Sequence, residues 1–246
     1  MNLHIVTVGT SILSNLGWQR PAPLPPKARA DAAVAANPRQ ASAEINALLP
    51  YVERGLCQRV HLIATDTPEG RLCRDVVGAF LGNKRVQTEL GTQADLLPGE
   101  SGDPYAAAAH LRDRVFSVAR AAHQRGDSVY LNLTGGLKSE TAVAAATATL
   151  LDVAGIPVTA YYAHESMPEP VELPILSVGQ DVLQRLARDF ATDQWVALRG
   201  PLDSQLRTAE RERVVRVQRS ADGTPSTARL TDFGRFLVER FSASRP

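Results

Sequence analysis

Between residues 132 and 140 the chain reads Asn132-Leu133-Thr134-Gly135-Gly136-Leu137-Lys138-Ser139-Glu140. An apolar run, SVYLNL at 128–133, leads into it, and an alanine-rich stretch at 138–154 leads out. This predicts a strand-to-helix turn in which two glycines let backbone approach a phosphate closely. Free amides at the helix N-terminus point at such an anion, and the helix dipole adds to the attraction. Thr134 offers a hydroxyl donor and Lys138 a full positive charge. The alternative is a plain glycine-rich turn with a solvated lysine. The G-x-x-x-x-G-K spacing of a P-loop is absent, and no G-x-G-x-x-G follows the first apolar run.

Gly9-Thr10-Ser11 closes that first run, LHIVTV at 3–8, and supplies a second set of hydroxyls. Ser11 lies in no G-x-S-x-G elbow and in no Ser-His-Asp context, so it reads as a phosphate or ribose binder rather than an acyl nucleophile. Thr65-Asp66-Thr67 forms a third small polar turn after VHLIAT at 60–65. No H-E-x-x-H, paired aspartates or Cys/His spacing points to a metal. His4 and His61 fall on strands, where packing is the plain reading. His110 and His123 fall on a long helix with partial solvation, and His164 follows Tyr161-Tyr162 near a strand end, where lining a ligand pocket is the lesser of its readings. Trp18 either stacks on a base or packs. Cys57 and Cys73, the only cysteines, read as buried thiols in a reducing cytoplasm.

The elements that must position these turns alternate strand and helix. After the first strand, residues 17–38 are rich in Pro and Ala and read as a lid, a binding loop or a disordered insert. A helix follows at 41–54, with Ile45, Leu48, Leu49 and Val52 at helical spacing. A strand at 60–65 leads to a helix opened by Thr67-Pro68-Glu69, with Leu72, Val76, Val77 and Phe80 on one face. A short strand near 84–90, a polar loop at 91–103 and a long helix at 104–125 ended by Gly126 come next. The strand 128–133, the helix 138–154, strands at 158–163 and 171–176, and a helix at 180–190 complete the pattern. This predicts an α/β fold: a Rossmann-like, doubly wound, mainly parallel sheet over residues 1–199. In such sheets ligands sit outside the carboxyl ends of the strands, where all three small turns fall.

The 246 residues carry a net charge of +1, with 44% hydrophobic and 22% charged residues. This excludes a mainly disordered chain and a strong global field for long nucleic acids. No apolar run is long enough to cross a membrane, and the N-terminus lacks the features of a signal peptide; a cytoplasmic location is expected. Residues 200–246 differ: a helix at 203–211, VVRVQR at 214–219, a turn at Asp222-Gly223, then a strand and a helix. That order is winged-helix-like, but some 46 residues are few for an independent core. Packing or dimerisation is the favoured role for this appendage, and DNA binding the lesser one.

Val8-Gly9-Thr10-Ser11-Ile12-Leu13-Ser14-Asn15, together with Asn132-Leu133-Thr134-Gly135-Gly136-Leu137-Lys138, resembles the CARF domains, the CRISPR-associated Rossmann folds, and among them the stand-alone ring nucleases. The resemblance covers roughly residues 1–190. It implies a homodimer that binds cyclic oligoadenylate, usually the four-membered ring, across its two-fold axis. It further implies that Ser11 and Lys138 are the catalytic pair. Gly9, Thr10, Ile12, Asn132, Thr134, Gly135 and Gly136 would complete the ligand cradle, with Asp66 and Thr67 touching adenine or ribose. No metal or cofactor is implied. The activity expected is metal-independent cleavage by a ribose 2′-hydroxyl, switching off type III CRISPR antiviral signalling. The alternative is a sensor that binds the ring without cutting it, such as a transcription regulator. No general base is evident in the sequence.

Overall fold

The computed structural model describes residues 1–90, 96–97, 104–136, 138–164, 169–175, 179–190, 194–198 and 200–241. The chain divides into two compact units, Met1–Leu173 and Pro174–Pro246. In the first, β1 (Asn2–Val8) is followed by α1 (Ser11–Asn15), α2 (Lys27–Ala36), α3 (Pro38–Ala41) and α4 (Ala43–Glu53). Then come β2 (Arg59–Thr65), α5 (Pro68–Asn83), β3 (Gln87–Leu90), β4 (Leu96–Leu97) and α6 (Pro104–Gln124). The unit ends with β5 (Ser128–Asn132), α7 (Lys138–Val153), β6 (Val158–Tyr162) and β7 (Val171–Leu173).

The strands form one sheet in the order β3-β2-β1-β5-β6-β7, with β4 pairing against the end of β2. Every pair is parallel except β6 with β7. The chain runs outward from β1 to β2 and β3, then returns to place β5 on the other side of β1. The switch point therefore lies between β1 and β5, as the Rossmann-like reading requires.

Leu3 to Val8 are all buried, which explains the unbroken apolar run: a central parallel strand is covered on both faces. On one face Val6 and Val8 join Ile45, Leu48 and Leu49 of α4 and Cys73, Val76, Val77 and Leu81 of α5 in a single core. Leu111, Val115, Ala119 and Ala122 of α6 and Ala144, Ala148 and Leu151 of α7 are buried too, with α6 packed against β1, β5 and α7.

Three expectations need correction. Residues 17–38 are not a structureless insert. All four of their prolines before Pro38 precede Lys27, so the following alanine-rich segment is free to form α2. Its Ala30 and Val34 are buried in the core, and Lys27 pairs with Asp31 at 2.8 Å. The helix expected at 41–54 is interrupted at Ser42, whose extended backbone separates α3 from α4 and whose side chain caps α4. The loop expected at 91–103 contains β4; the rest of that loop lies outside the described residues.

The second unit begins earlier than expected, at Pro174 rather than Gly200. It comprises α8 (Gln180–Asp189), β8 (Val196–Ala197), α9 (Ser204–Arg211), β9 (Val215–Arg219), β10 (Pro225–Leu230) and α10 (Asp232–Phe241). The reason is the apolar stripe of α8. Val182, Leu183 and Leu186, with Phe190 just beyond, are buried with Leu202, Leu206, Ala209, Val214, Ala228, Leu230 and Leu237. The helix read as completing the first domain thus supplies the core that the tail alone lacked. The three strands are antiparallel in the order β8-β10-β9. The strand, turn, strand and helix read from residues 214 onward are β9, the turn with Gly223 at φ +83°, β10 and α10.

Candidate functional site

The turns that leave β1 and β5 meet at the switch point. Val6 pairs with Asn132 in the sheet, so the two strands deliver their following residues side by side. A β-carbon on Gly9 would stand 3.0 Å from the Gly136 amide nitrogen. One on Gly135 would overlap Glu44 Cγ and Oε1 and lie 2.6 Å from the Thr7 carbonyl oxygen. Gly136 adopts φ +90°, a left-handed backbone that favours glycine. The glycines read from the sequence as allowing close approach are thus required first by the approach of the two turns to each other.

Hydrogen bonds fix this junction. Thr7 Oγ1 donates to the Gly135 carbonyl at 2.8 Å. Asn132, fully buried, accepts from the Thr134 amide at 2.9 Å, and Thr134 Oγ1 accepts from the Ala163 amide at 2.9 Å. The β5–α7 turn is therefore tied to β1 on one side and to the end of β6 on the other.

Glu44 is the residue the sequence reading missed. It sits in the first turn of α4, only 1% exposed, with its carboxylate beneath the β1–α1 turn. Oε1 accepts the Gly9 amide at 2.8 Å. Oε2 accepts the Ser11 hydroxyl at 3.0 Å and the Ser42 hydroxyl at 2.7 Å. Three donors and the positive end of the α4 dipole compensate a buried charge that would otherwise be costly. The only signal in the sequence is an acid two residues after a serine at a helix start, which helices use routinely as a cap.

The consequence for Ser11 is direct. Its proton is donated to Glu44, and its oxygen also accepts the Ala43 amide at 3.3 Å. Thr10 is exposed, and its side chain does not cap α1, which leaves that hydroxyl toward solvent. Ile12 is buried in the core, so its side chain serves packing and only its backbone is at the turn. Lys138 opens α7; its side chain, like Leu137, lies outside the described residues.

Asp66 and Thr67 follow β2, next to β1 in the sheet. Thr67 caps α5 by accepting the Gly70 amide at 3.0 Å. The Asp66 carboxylate pairs with the Arg71 guanidinium, and its amide donates to the Leu97 carbonyl at 2.6 Å. Both have local structural work in addition to any contact with a ligand. Trp18 packs against the core, and its indole N–H is shared by the carbonyls of Ala22 and Pro23, each at 3.0 Å. That favours the packing alternative. His164 is exposed.

Behind the junction His4 is packed among Tyr51, Tyr130 and Tyr161, stacked on Tyr130 at 4.6 Å. Its Nε2 lies 3.1 Å from the Leu56 carbonyl, which can only accept, so Nε2 carries the proton. Nδ1 then accepts the Tyr161 hydroxyl at 2.9 Å. Burial pushes the His4 pKa down to about 4 and holds Tyr161 well above the usual phenol range. Both stay neutral. Cys57 and Cys73 are buried free thiols pushed up to about 12 by burial, with the Glu44 charge adding at Cys73. His61, also buried, pairs with Glu89 at 2.9 Å. Among the described residues no three His, Cys, Asp or Glu side chains stand together as a metal site, and no helix is long and apolar enough to cross a membrane.

Residues 39–176, more than half of the chain, match the model of a family described as CRISPR-associated protein (Cas_APE2256). The match takes in Glu44, the turn after β2 and the turn after β5; β1 and the turn after it lie before its start. No curated protein matches the chain.

Proposed function

The chain belongs to the CRISPR-associated family Cas_APE2256, and we propose that it is a homodimeric ring nuclease that binds and cleaves cyclic oligoadenylate, the four-membered ring in particular. The observation that carries the reading is the junction of the two turns at the switch point, which brings the β1–α1 turn with its exposed Thr10 beside the β5–α7 turn and the start of α7, where a phosphodiester could be met. Gly9, Thr10, Ser11 and the Ile12 backbone form one wall of the cradle. Thr134 and Gly136 form the other, positioned by the buried Asn132 and Gly135 beneath them, with Lys138 at the start of α7. Asp66 and Thr67 stand toward base and ribose. A symmetric ring calls for a symmetric cradle, and two copies of one set of turns provide it.

In the proposed reaction the ribose 2′-oxygen of one adenosine attacks the adjacent phosphorus. The bond from phosphorus to the 5′-oxygen breaks, and the proton lost by the 2′-hydroxyl ends on that 5′-oxygen. The product end is a 2′,3′-cyclic phosphate. Negative charge grows on the phosphoryl oxygens, where Lys138 and the α7 amides would stabilise it. Ser11 would hold the phosphate in line with the leaving oxygen. Glu44 sets the position of Ser11 through the 3.0 Å hydrogen bond. This chemistry ends type III CRISPR antiviral signalling by removing the signal.

A second reading, sensing without cleavage, is favoured by the same hydrogen bond. A Ser11 proton committed to Glu44 is not free for a phosphate until that bond is exchanged. Labelled cyclic tetra-adenylate incubated with excess protein and EDTA separates the two. Conversion to products with 2′,3′-cyclic phosphate ends supports the nuclease, a bound but intact ring supports the sensor, and absence of binding refutes both.

A further inference from the structure

A file of polar groups runs through the core beneath the switch point, and each fixes the direction of the next. Leu56, in the connection from α4 to β2, offers a carbonyl that can only accept, so His4 Nε2 donates to it across 3.1 Å. Burial holds His4 neutral, at about 4, and a neutral imidazole has one donor and one acceptor. Nδ1 must therefore accept, and the Tyr161 hydroxyl, 2.9 Å away, donates to it. With its proton given to His4, Tyr161 has only lone pairs left for its other neighbours.

Asn132 is one such neighbour. It is the direct partner of Tyr161 between the parallel strands β5 and β6, and both side chains are wholly buried. Its Oδ1 accepts the Thr134 amide at 2.9 Å, which turns Nδ2 and its two protons inward. Among the described residues that nitrogen completes no hydrogen bond of good geometry. Burial holds the Tyr161 phenol well above its usual range, and the Asn132 amide works in the opposite direction, as a donor close to the phenol oxygen does. A side-chain amide has nearly the same shape either way round, so its partners decide how Asn132 faces. Reversed, it would set an N–H against the Thr134 amide. Thr134 ends the file: its Oγ1 accepts the Ala163 amide at 2.9 Å, which leaves its own proton for an acceptor such as a phosphate oxygen.

We propose that Tyr161, with its proton held by His4, is a positioning residue for the β5–α7 turn: by showing Asn132 a lone pair rather than a proton, it keeps Oδ1 on the Thr134 amide. The inference rests on the ring-binding reading only for what the turn meets. It carries a directional consequence that packing alone would not. Removing the acceptor at His4 turns the Tyr161 proton toward Asn132 and favours the reversed amide. Removing the hydroxyl as well takes that bias away, so the second substitution repairs the damage of the first.

The test uses the full chain with His4→Phe, Tyr161→Phe and the double variant. Phenylalanine keeps a ring at both positions, and losing two buried partners together costs less than losing one. Nitrogen NMR of the imidazole rings, with His4 identified among the five histidines as the signal missing from His4→Phe, should show Nε2 protonated and Nδ1 unprotonated. Exchange of the Thr134 amide proton should quicken about three- to tenfold in His4→Phe, the effect of losing one neutral hydrogen bond. It should return toward the wild-type rate in the double variant, with Tyr161→Phe close to the double. Affinity for cyclic tetra-adenylate should follow the same order, falling in His4→Phe and recovering in the double variant. A His4 protonated on Nδ1 overturns the proposal, and so does Thr134 exchange in the double variant as fast as in His4→Phe. Ring affinity that His4→Phe leaves unchanged overturns the positioning role. A wild type that does not bind the ring refutes the ring-binding reading, and the Thr134 exchange rates then decide the proposal by themselves.

Discussion

Replacing Glu44 should separate its charge from its shape. In Glu44→Ala the Gly9 amide and the Ser11 and Ser42 hydroxyls lose an acceptor that they meet at 2.8, 3.0 and 2.7 Å. Hydrogen bonds to charged groups are each worth about 1.5–3 kcal/mol, but they do not add when they share one acceptor, and a loss of about 3 kcal/mol is expected. For a unit of this size that is a fall of roughly 6–12 °C in melting temperature. Glu44→Gln should behave differently. Its carbonyl can keep the Gly9 amide, while its amide donates to Ser11 Oγ and Ser42 Oγ. Each hydroxyl then accepts two bonds, since Ser11 already takes the Ala43 amide and Ser42 the Ile45 amide. The cost should stay near about 1 kcal/mol, and the Ser11 proton is released. Binding of cyclic tetra-adenylate should therefore tighten in Glu44→Gln, because a negative charge is removed and a donor is freed. The assays are thermal denaturation followed at the first unit and a binding titration. An alanine variant that melts with the wild type, or a glutamine variant as damaged as the alanine one, refutes the reasoning.

Gly135→Ala should be more disruptive than an exposed glycine substitution, because its β-carbon would overlap Glu44 and crowd the Thr7 carbonyl. A loss of about 1–3 kcal/mol from overpacking, with loss of ring binding, would show in the same two assays. Burial holds His4 at about 4, against about 6.5 when unfolded, so the unfolded chain takes up its proton first as pH falls. Stability should be intact above pH 6.5 and decline toward pH 4 by roughly 3 kcal/mol; a denaturant series at several pH values would show the decline, and His4→Phe should remove that slope. Cys57 and Cys73, pushed up to about 12, should resist alkylation in the native protein and react only on unfolding; rapid labelling at neutral pH would contradict their burial.

The doubly wound sheet was legible because its signals are local. Unbroken apolar runs mark strands covered on both faces, and glycines with small polar residues mark the turns at their ends. The junction of Gly9 with Gly135 and Gly136 followed from topology, since the switch point must bring the ends of β1 and β5 together. Glu44 was not legible. It reaches Ser11 across 33 positions of sequence, and at its own position it looks like an ordinary acid in a first helical turn. Helix α2 was obscured by the prolines that precede it, although its own residues are strong helix formers. The domain boundary was misplaced because α8 follows the strands of the first unit in sequence while its apolar stripe fits the core of the second. Periodicity reports that a helix has a buried face, but not which neighbour covers it.

The most direct test of the switch-point site is single-turnover cleavage of cyclic tetra-adenylate, with EDTA present, by the wild type, Ser11→Ala and Lys138→Ala, beside an equilibrium binding titration for each. Shortened products with 2′,3′-cyclic phosphate ends are expected from the wild type. Lys138→Ala should lose about 10²–10³ in rate, the value of one positioned donor at the developing charge, while ring affinity falls much less. Ser11→Ala should also slow cleavage. A Lys138→Ala protein that cleaves at the wild-type rate, or a wild type that does not bind the ring, would contradict the assignment of these turns as the site.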